Sequence, residues 1–134
     1  MGKTIGGSVT TYPGDIWHYA SSKIVVAARA AGIDAIDGPY ADFRNPDGYR
    51  EEAIRSATMG FAGKWAIHPS QIELANEIYS PTADEVDRAR KLEAAYAKAE
   101  AEGLGAVTFD GVMIDAASVR IIRNVIDKAN LIGM

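Results

Sequence analysis

The chain contains no cysteine, so disulfide staples, thiol catalysis and thiolate metal sites are excluded, and a cytoplasmic home fits. Histidine is almost as scarce. His18 and His68 are the only two, with no HExxH or other paired-ligand spacing. No apolar run approaches the roughly 20 residues of a membrane span, and the N-terminus lacks a signal-peptide core. Basic charge is not in excess: the formal net charge is -4 and the pI about 5.1. That removes the basic face a nucleic-acid partner needs. There is no Walker loop, and Gly2, Gly6 and Gly7 lack the preceding strand and spacing of a dinucleotide fingerprint. No nucleophile elbow presents a serine for a triad. Length is limiting too. At 134 residues and 48% hydrophobic the chain is one domain's worth of globular protein, whereas a closed (β/α)8 barrel takes about 250 residues.

What is present is an alternation of helix and strand. Residues 1–13 read as irregular and glycine-rich, like the middle of a loop in a longer protein. Pro13, Gly14 and Asp15 open a helix, with Asp15 as its N-cap and Ile24, Ala27, Ala28 and Ala31 as its buried stripe. Gly32 ends it. Residues 33–37 (IDAID) form a short strand, Asn45 caps and Pro46 starts the next helix, and Gly60 closes that helix. Residues 64–67 (KWAI) form a second strand, and His68 and Pro69 start a short helix to about Tyr79. The order α-β-α-β-α aligns the C-terminal ends of two parallel strands on one edge, where α/β enzymes place their chemistry.

Ser80, Pro81 and Thr82 mark the clearest boundary, dividing residues 1–79 from residues 80–134. Thr82 and Glu85 match a capping box. The helix they open runs to Gly103 with a narrow stripe of Val86, Ala89, Leu92 and Tyr96. Asp110 and Gly111 form a two-residue hairpin signal between residues 106–109 and 112–114. Asp115 then caps a last helix carrying Val119, Ile122, Val125 and Ile126. Charges in the long helix alternate in sign, as on a solvated face with a few favourable pairs.

Each candidate for chemistry has a plain alternative. His68, at a strand end, either touches a ligand or is hydrogen-bonded locally beside the Pro69 turn. His18, between Trp17 and Tyr19, reads as packing or surface. Asp37 and Asp42 flank Gly38, Pro39 and Tyr40 and either shape an acidic pocket for a hard cation or serve as caps and Asx turns. Asp115 on residue physics alone is a helix cap.

The segments AARAAGIDAIDGP at 27–39 and GFAGKWAIHPSQI at 60–72 resemble those of citrate lyase beta subunits and malyl-CoA lyases. YSP at 79–81, GAVTFDGVMID at 105–115 and, upstream, PGDIWHY at 13–19 continue the likeness to the HpcH/HpaI aldolase superfamily, in collinear order. The resemblance implies a Mg2+-dependent TIM barrel that makes or breaks a C–C bond, cleaving malyl-, citramalyl- or citryl-type CoA esters to an acyl-CoA and a 2-oxo acid. It implies that this chain holds the last two strands of the (β/α)8 barrel with their helices, and that residues 80–134 are a helix–hairpin–helix extension. That extension would pack on a neighbouring subunit of a homo-oligomer, a trimer or hexamer. The family's metal ligands, a glutamate and an aspartate, and its oxo-acid arginine have no matching position here. Asp115 matches the family's catalytic aspartate, a general acid/base at the acyl-CoA α carbon. Pro39, Tyr40, His68 and Pro69 become wall residues for substrate or CoA. On this reading the isolated chain is inactive. Two other readings stand beside it: a non-catalytic module that completes or regulates a partner barrel, and a thioesterase acting on the same CoA esters.

Overall fold

Two glycine-terminated helices set the geometry of the first half of the chain. The computed structural model describes residues 14–134. Helix α1 (His18–Ala30) ends where Gly32 turns left-handed at φ 70. There Ile33 N donates to Ala28 O and Gly32 N to Arg29 O, a Schellman pair that satisfies carbonyls the helix leaves open. Helix α2 (Pro46–Met59) ends the same way at Gly60, φ 105, with Phe61 N bonded to Ser56 O. Each turn sends the chain into a short strand, β1 (Ile36–Asp37) and then β2 (Gly63–Lys64). The two pair in parallel, Ile36 opposite Gly63 and Asp37 opposite Lys64. A 3-10 turn (Pro69–Gln71) and helix α3 (Ile72–Tyr79) follow, so the α-β-α-β-α order is observed. α2 starts as its residues predict, with Asn45 Oδ1 accepting from Gly48 N at 3.0 Å and Pro46 in the first turn.

Details of the first half differ from the sequence expectation. The strands are shorter than 33–37 and 64–67, because a ladder needs a partner and each has one neighbour for only two residues. Asp15 is not the N-cap of α1. Trp17 holds that position without a side-chain bond, while Asp15 Oδ1 accepts from Trp17 N one turn earlier. Of the expected stripe of α1 only Ala28 is buried, beside Val25, whereas Ile24, Ala27 and Ala31 are exposed. Pro13 and the glycine-rich start lie outside the described residues.

The contacts of the chain divide it into two units at Tyr79 and Ser80. In the first, Val25, Ala28, Ala35, Tyr49, Ala53, Phe61 and Tyr79 form the core, and the Ser56 and Tyr79 hydroxyls are bonded within it. Side chains alternate across a strand, so Ala35 faces the helices, whereas Ile36 and Trp65 are 49% and 62% exposed.

The second unit, Ser80–Met134, is built from local signals. Thr82 and Glu85 form the full capping box of α4 (Ala83–Ala101). Strands β3 (Ala106–Phe109) and β4 (Val112–Asp115) are antiparallel, joined by Asp110 and Gly111 at φ 48 and 76. Positive φ at both positions is the type I′ geometry that matches strand twist. Helix α5 (Ala116–Leu131) follows. Tyr96, Ile114 and Val119 form the core, with Leu92, Val107, Phe109 and Ile122 against it. Among the described residues no helix is long and apolar enough to cross a membrane.

Gly48, in the first turn of α2, is required by a close approach. A Cβ there would collide with the Tyr40 hydroxyl and with Asn45 Nδ2. Gly48→Ala should therefore cost about 1–3 kcal/mol, the usual range for overpacking, seen as a lower urea midpoint. An unchanged midpoint would mean that the Tyr40 ring can swing off the helix.

Candidate functional site

The C-terminal ends of β1 and β2 converge on one lysine. Lys64, the last residue of β2, has a fully buried side chain whose Nζ donates to Asp37 Oδ2 at 2.8 Å, Glu52 Oε1 at 2.6 Å and Gly38 O at 2.8 Å. An ammonium has three donors, and all three are used. Asp37 Oδ1 also accepts from Gly38 N at 2.8 Å, and Trp65 N donates to Asp37 O at 3.1 Å. The end of β1 and the first residue of its loop are thus gripped from both sides. The Lys64 Nζ also lies 5.9 Å from the centre of the buried Tyr49 ring, within reach of a cation–π attraction. Burial pushes the Tyr49 phenol up, and the nearby Lys64 charge opposes that shift.

Two further stitches join the loops after the strands. Gln71 is 1% exposed. Its Nε2 donates to Tyr40 O at 2.9 Å and its Oε1 accepts from Ile67 N at 2.8 Å, tying one loop to the other. The His68 ring stacks on Phe43, centroids 4.4 Å apart and planes 18° from parallel. His68 Nδ1 accepts from Ser70 N at 3.2 Å and sits 2.8 Å from Ser70 Oγ. Because a backbone N–H can only donate, the neutral His68 ring carries its proton on Nε2. The local cap and the strand-end position of His68 are therefore both present.

The structure brings Pro39, Tyr40, His68 and Pro69 onto this one edge, within the two loops that Gln71 joins. Tyr40 is fixed further by Asn45 Nδ2, which donates to its hydroxyl at 3.2 Å, and by an edge-on contact with Tyr49. An open cleft beside it is lined by Tyr40, Gly48, Glu51, Glu52 and Arg55. Asp37 and Asp42 do not form a shared acidic pocket. Asp37 is committed to Lys64, and Asp42 Oδ1 accepts from Arg44 N at 3.3 Å in an Asx turn. Among the described residues no three His, Asp or Glu side chains gather as a metal site. His18 is exposed on α1.

Lys64, Glu52 and Gln71 were not singled out from the sequence. A signal for Lys64 existed: lysine is almost never fully buried unless paired, and here it interrupts the run Gly63, Trp65, Ala66, Ile67. Glu52 and Gln71, twelve and seven residues from Lys64, carry no such flag.

Asp115 belongs to the second unit, where it closes β4 and caps α5. Its Oδ1 accepts from Ser118 N and from Ser118 Oγ, both at 2.8 Å. Those two bonds, the amide first, hold its carboxyl below the usual aspartate value.

The HpcH/HpaI aldolase/citrate lyase family profile matches residues 3–69, and the chain belongs to that family. It is 46% identical over 117 residues to the L-malyl-CoA/beta-methylmalyl-CoA lyase of Rhodobacter capsulatus, a match covering 87% of this chain and 37% of that protein. The mitochondrial citramalyl-CoA lyase of Rattus norvegicus is 42% identical over 114 residues, covering 85% and 34%. Among solved structures, CitE from Mycobacterium tuberculosis, in complex with magnesium, acetoacetate and coenzyme A, superposes with a TM-score of 0.73 at 30% identity. That superposition covers 95% of this chain and 48% of CitE. The chain thus spans little more than a third of the length of the lyases it matches.

Two outcomes test this geometry. Gln71→Leu leaves Tyr40 O and Ile67 N without their buried partners, and should cost about 1–3 kcal/mol in a denaturation series; a neutral effect would show that water reaches both groups. For Asp115, the folded carboxyl titrates below the unfolded one. Its stabilising contribution is complete above the unfolded value and is lost as pH falls through the folded one. Acid titration followed by circular dichroism should therefore show a loss of α5 that Asp115→Asn lacks, since asparagine caps equally well without titrating. An identical acid limb in the variant would contradict the assignment.

Proposed function

We propose that the chain is the C-terminal part of a carbon–carbon lyase that interconverts a malyl-, citramalyl- or citryl-type CoA ester with an acyl-CoA and a 2-oxo acid. The observation that carries this reading is the collinear 46% identity to an L-malyl-CoA/beta-methylmalyl-CoA lyase across 87% of the chain. In this reading β1 and β2 are the last two strands of a (β/α)8 barrel. Their parallel pairing supports it, as does the bare face carrying Ile36 and Trp65; parallel sheets are ordinarily covered on both faces. Pro39, Tyr40, His68 and Pro69 would line the substrate or CoA. Residues 80–134 would carry Asp115 into the site of a neighbouring subunit of a homo-oligomer.

Magnesium, bound in the CitE complex, does not fit the described residues. They hold no three-ligand group, and the Asp37 carboxylate is taken by Lys64. In this reading the metal is held by strands outside this sequence. In the cleavage direction the bond between the hydroxyl-bearing carbon and the thioester α carbon breaks. The hydroxyl gives up its proton to solvent as its carbon becomes the carbonyl of the oxo acid, and the electron pair of the broken bond stays on the α carbon as the thioester enolate. Asp115, which enters this direction protonated, then gives its proton to the α carbon and completes the acyl-CoA. In the condensation direction the Asp115 carboxylate removes that proton. The bonds from Ser118 favour its ionised form, the state required to begin condensation.

The test is incubation of the full-length protein with Mg2+ and, in turn, L-malyl-CoA, citramalyl-CoA and citryl-CoA, followed by product analysis that is read for the other two esters as for the malyl ester. From the malyl ester, glyoxylate and acetyl-CoA in equal amounts are expected, with Asp115→Asn lowering kcat about 100-fold or more while the capped helix stays folded. Free malate and CoA would instead mark a thioesterase. An absence of both product pairs with every ester would overturn the proposal.

A further inference from the structure

We infer that Lys64 is a positioning residue that sets the conformation of the Gly38–Pro39–Tyr40 loop, beyond any part it has in the stability of the core. The inference rests on the reading above for what the loop is for. Its geometry is independent of that reading. The ladder between β1 and β2 is only two pairs long, extended by one backbone bond at either end, Ala62 N to Ala35 O and Trp65 N to Asp37 O, and the β1 loop begins immediately after it. At that point the Lys64 ammonium binds both the side chain of the last strand residue, Asp37, and the carbonyl of the first loop residue, Gly38. Since Asp37 Oδ1 also holds Gly38 N, both polar backbone atoms of Gly38 depend on Lys64, the carbonyl directly and the amide through Asp37. Glu52 supplies the third bond from α2, fixing the ammonium against the helix rather than leaving it to follow the loop. Tyr40, two residues on, is edge-on to the same Tyr49 ring that Lys64 approaches. The carboxylates are partly open, 21% and 34% by side chain, while the ammonium is fully covered. A cation sealed behind two half-exposed carboxylates anchors them and has no route to a ligand itself.

Arginine would not replace it. Its planar fork suits one carboxylate held in two places, whereas the acceptors here surround a single point.

The test compares amide exchange at the two ends of the same strands in the full-length protein. Gly38, at the loop end, reports positioning. Ala62, whose N–H donates to Ala35 O at 2.8 Å at the other end, reports the core. In Lys64→Met/Glu52→Gln, which removes the cation together with one of its charges, the Gly38 peptide should exchange about tenfold faster with the Ala62 peptide unchanged. Lys64→Arg, which keeps the charge, should give the same local pattern and serves if the double variant fails to fold. Parallel acceleration of both peptides would make Lys64 a core residue only, and no change at Gly38 would show that the loop holds itself; either overturns the inference. If the wild-type protein cleaves no CoA ester, the functional reading falls, but the exchange comparison still decides the role of Lys64.

Discussion

The loop edge of the first unit is arranged around a single buried ammonium. A two-residue parallel ladder is too short to fix the strands it joins, and parallel pairing is the weaker kind per residue. What the backbone ladder does not supply, side chains do. Lys64 joins the end of β2 to the end of β1 and to α2, and Gln71 joins the two following loops. Burying a charge is costly unless its bonds are complete, and here all three donors have acceptors. The same bonds that make the burial tolerable also hold both polar backbone atoms of Gly38, the start of the β1 loop.

The second unit reaches order by a different route. Its elements are specified by neighbours in sequence: a capping box, a type I′ hairpin, a capped final helix. Asp115 combines two demands at one position. The fold needs a helix cap after β4, and the proposed chemistry needs a carboxylate in its ionised form. Ser118 provides for both, since the bonds that secure the cap also favour the charge.

This difference explains what could be read from the chain. Gly32, Asn45, Gly60, Thr82 with Glu85, and Asp110 with Gly111 act through bonds within a few residues, and each was legible. The strand lengths were not, because they depend on what lies beside the strand. The stripe on α1 was misplaced because its buried face is set by distant residues packed against Val25 and Ala28, such as Ala53 and Phe61. At the candidate site the residues alone pointed to His68 and to Asp37 with Asp42, and Pro39, Tyr40 and Pro69 entered only through the family resemblance. Neither pointed to the residues that hold them, since Lys64 meets Asp37 across 27 positions and Gln71 meets Tyr40 across 31. The possible chemistry of Asp115 was legible only through the family resemblance, because locally it is a cap and nothing more.

If the loops after β1 and β2 form the edge that receives a CoA ester, coenzyme A must shield them. A hydrogen-exchange footprint of the full-length protein with Mg2+, with and without coenzyme A, decides this. Slower exchange is expected in this chain only in the loops holding Gly38 to Phe43 and Ile67 to Gln71, with the α2 face bearing Arg50 and Ile54 unchanged. Protection on that helix face, or none in either loop, would contradict it.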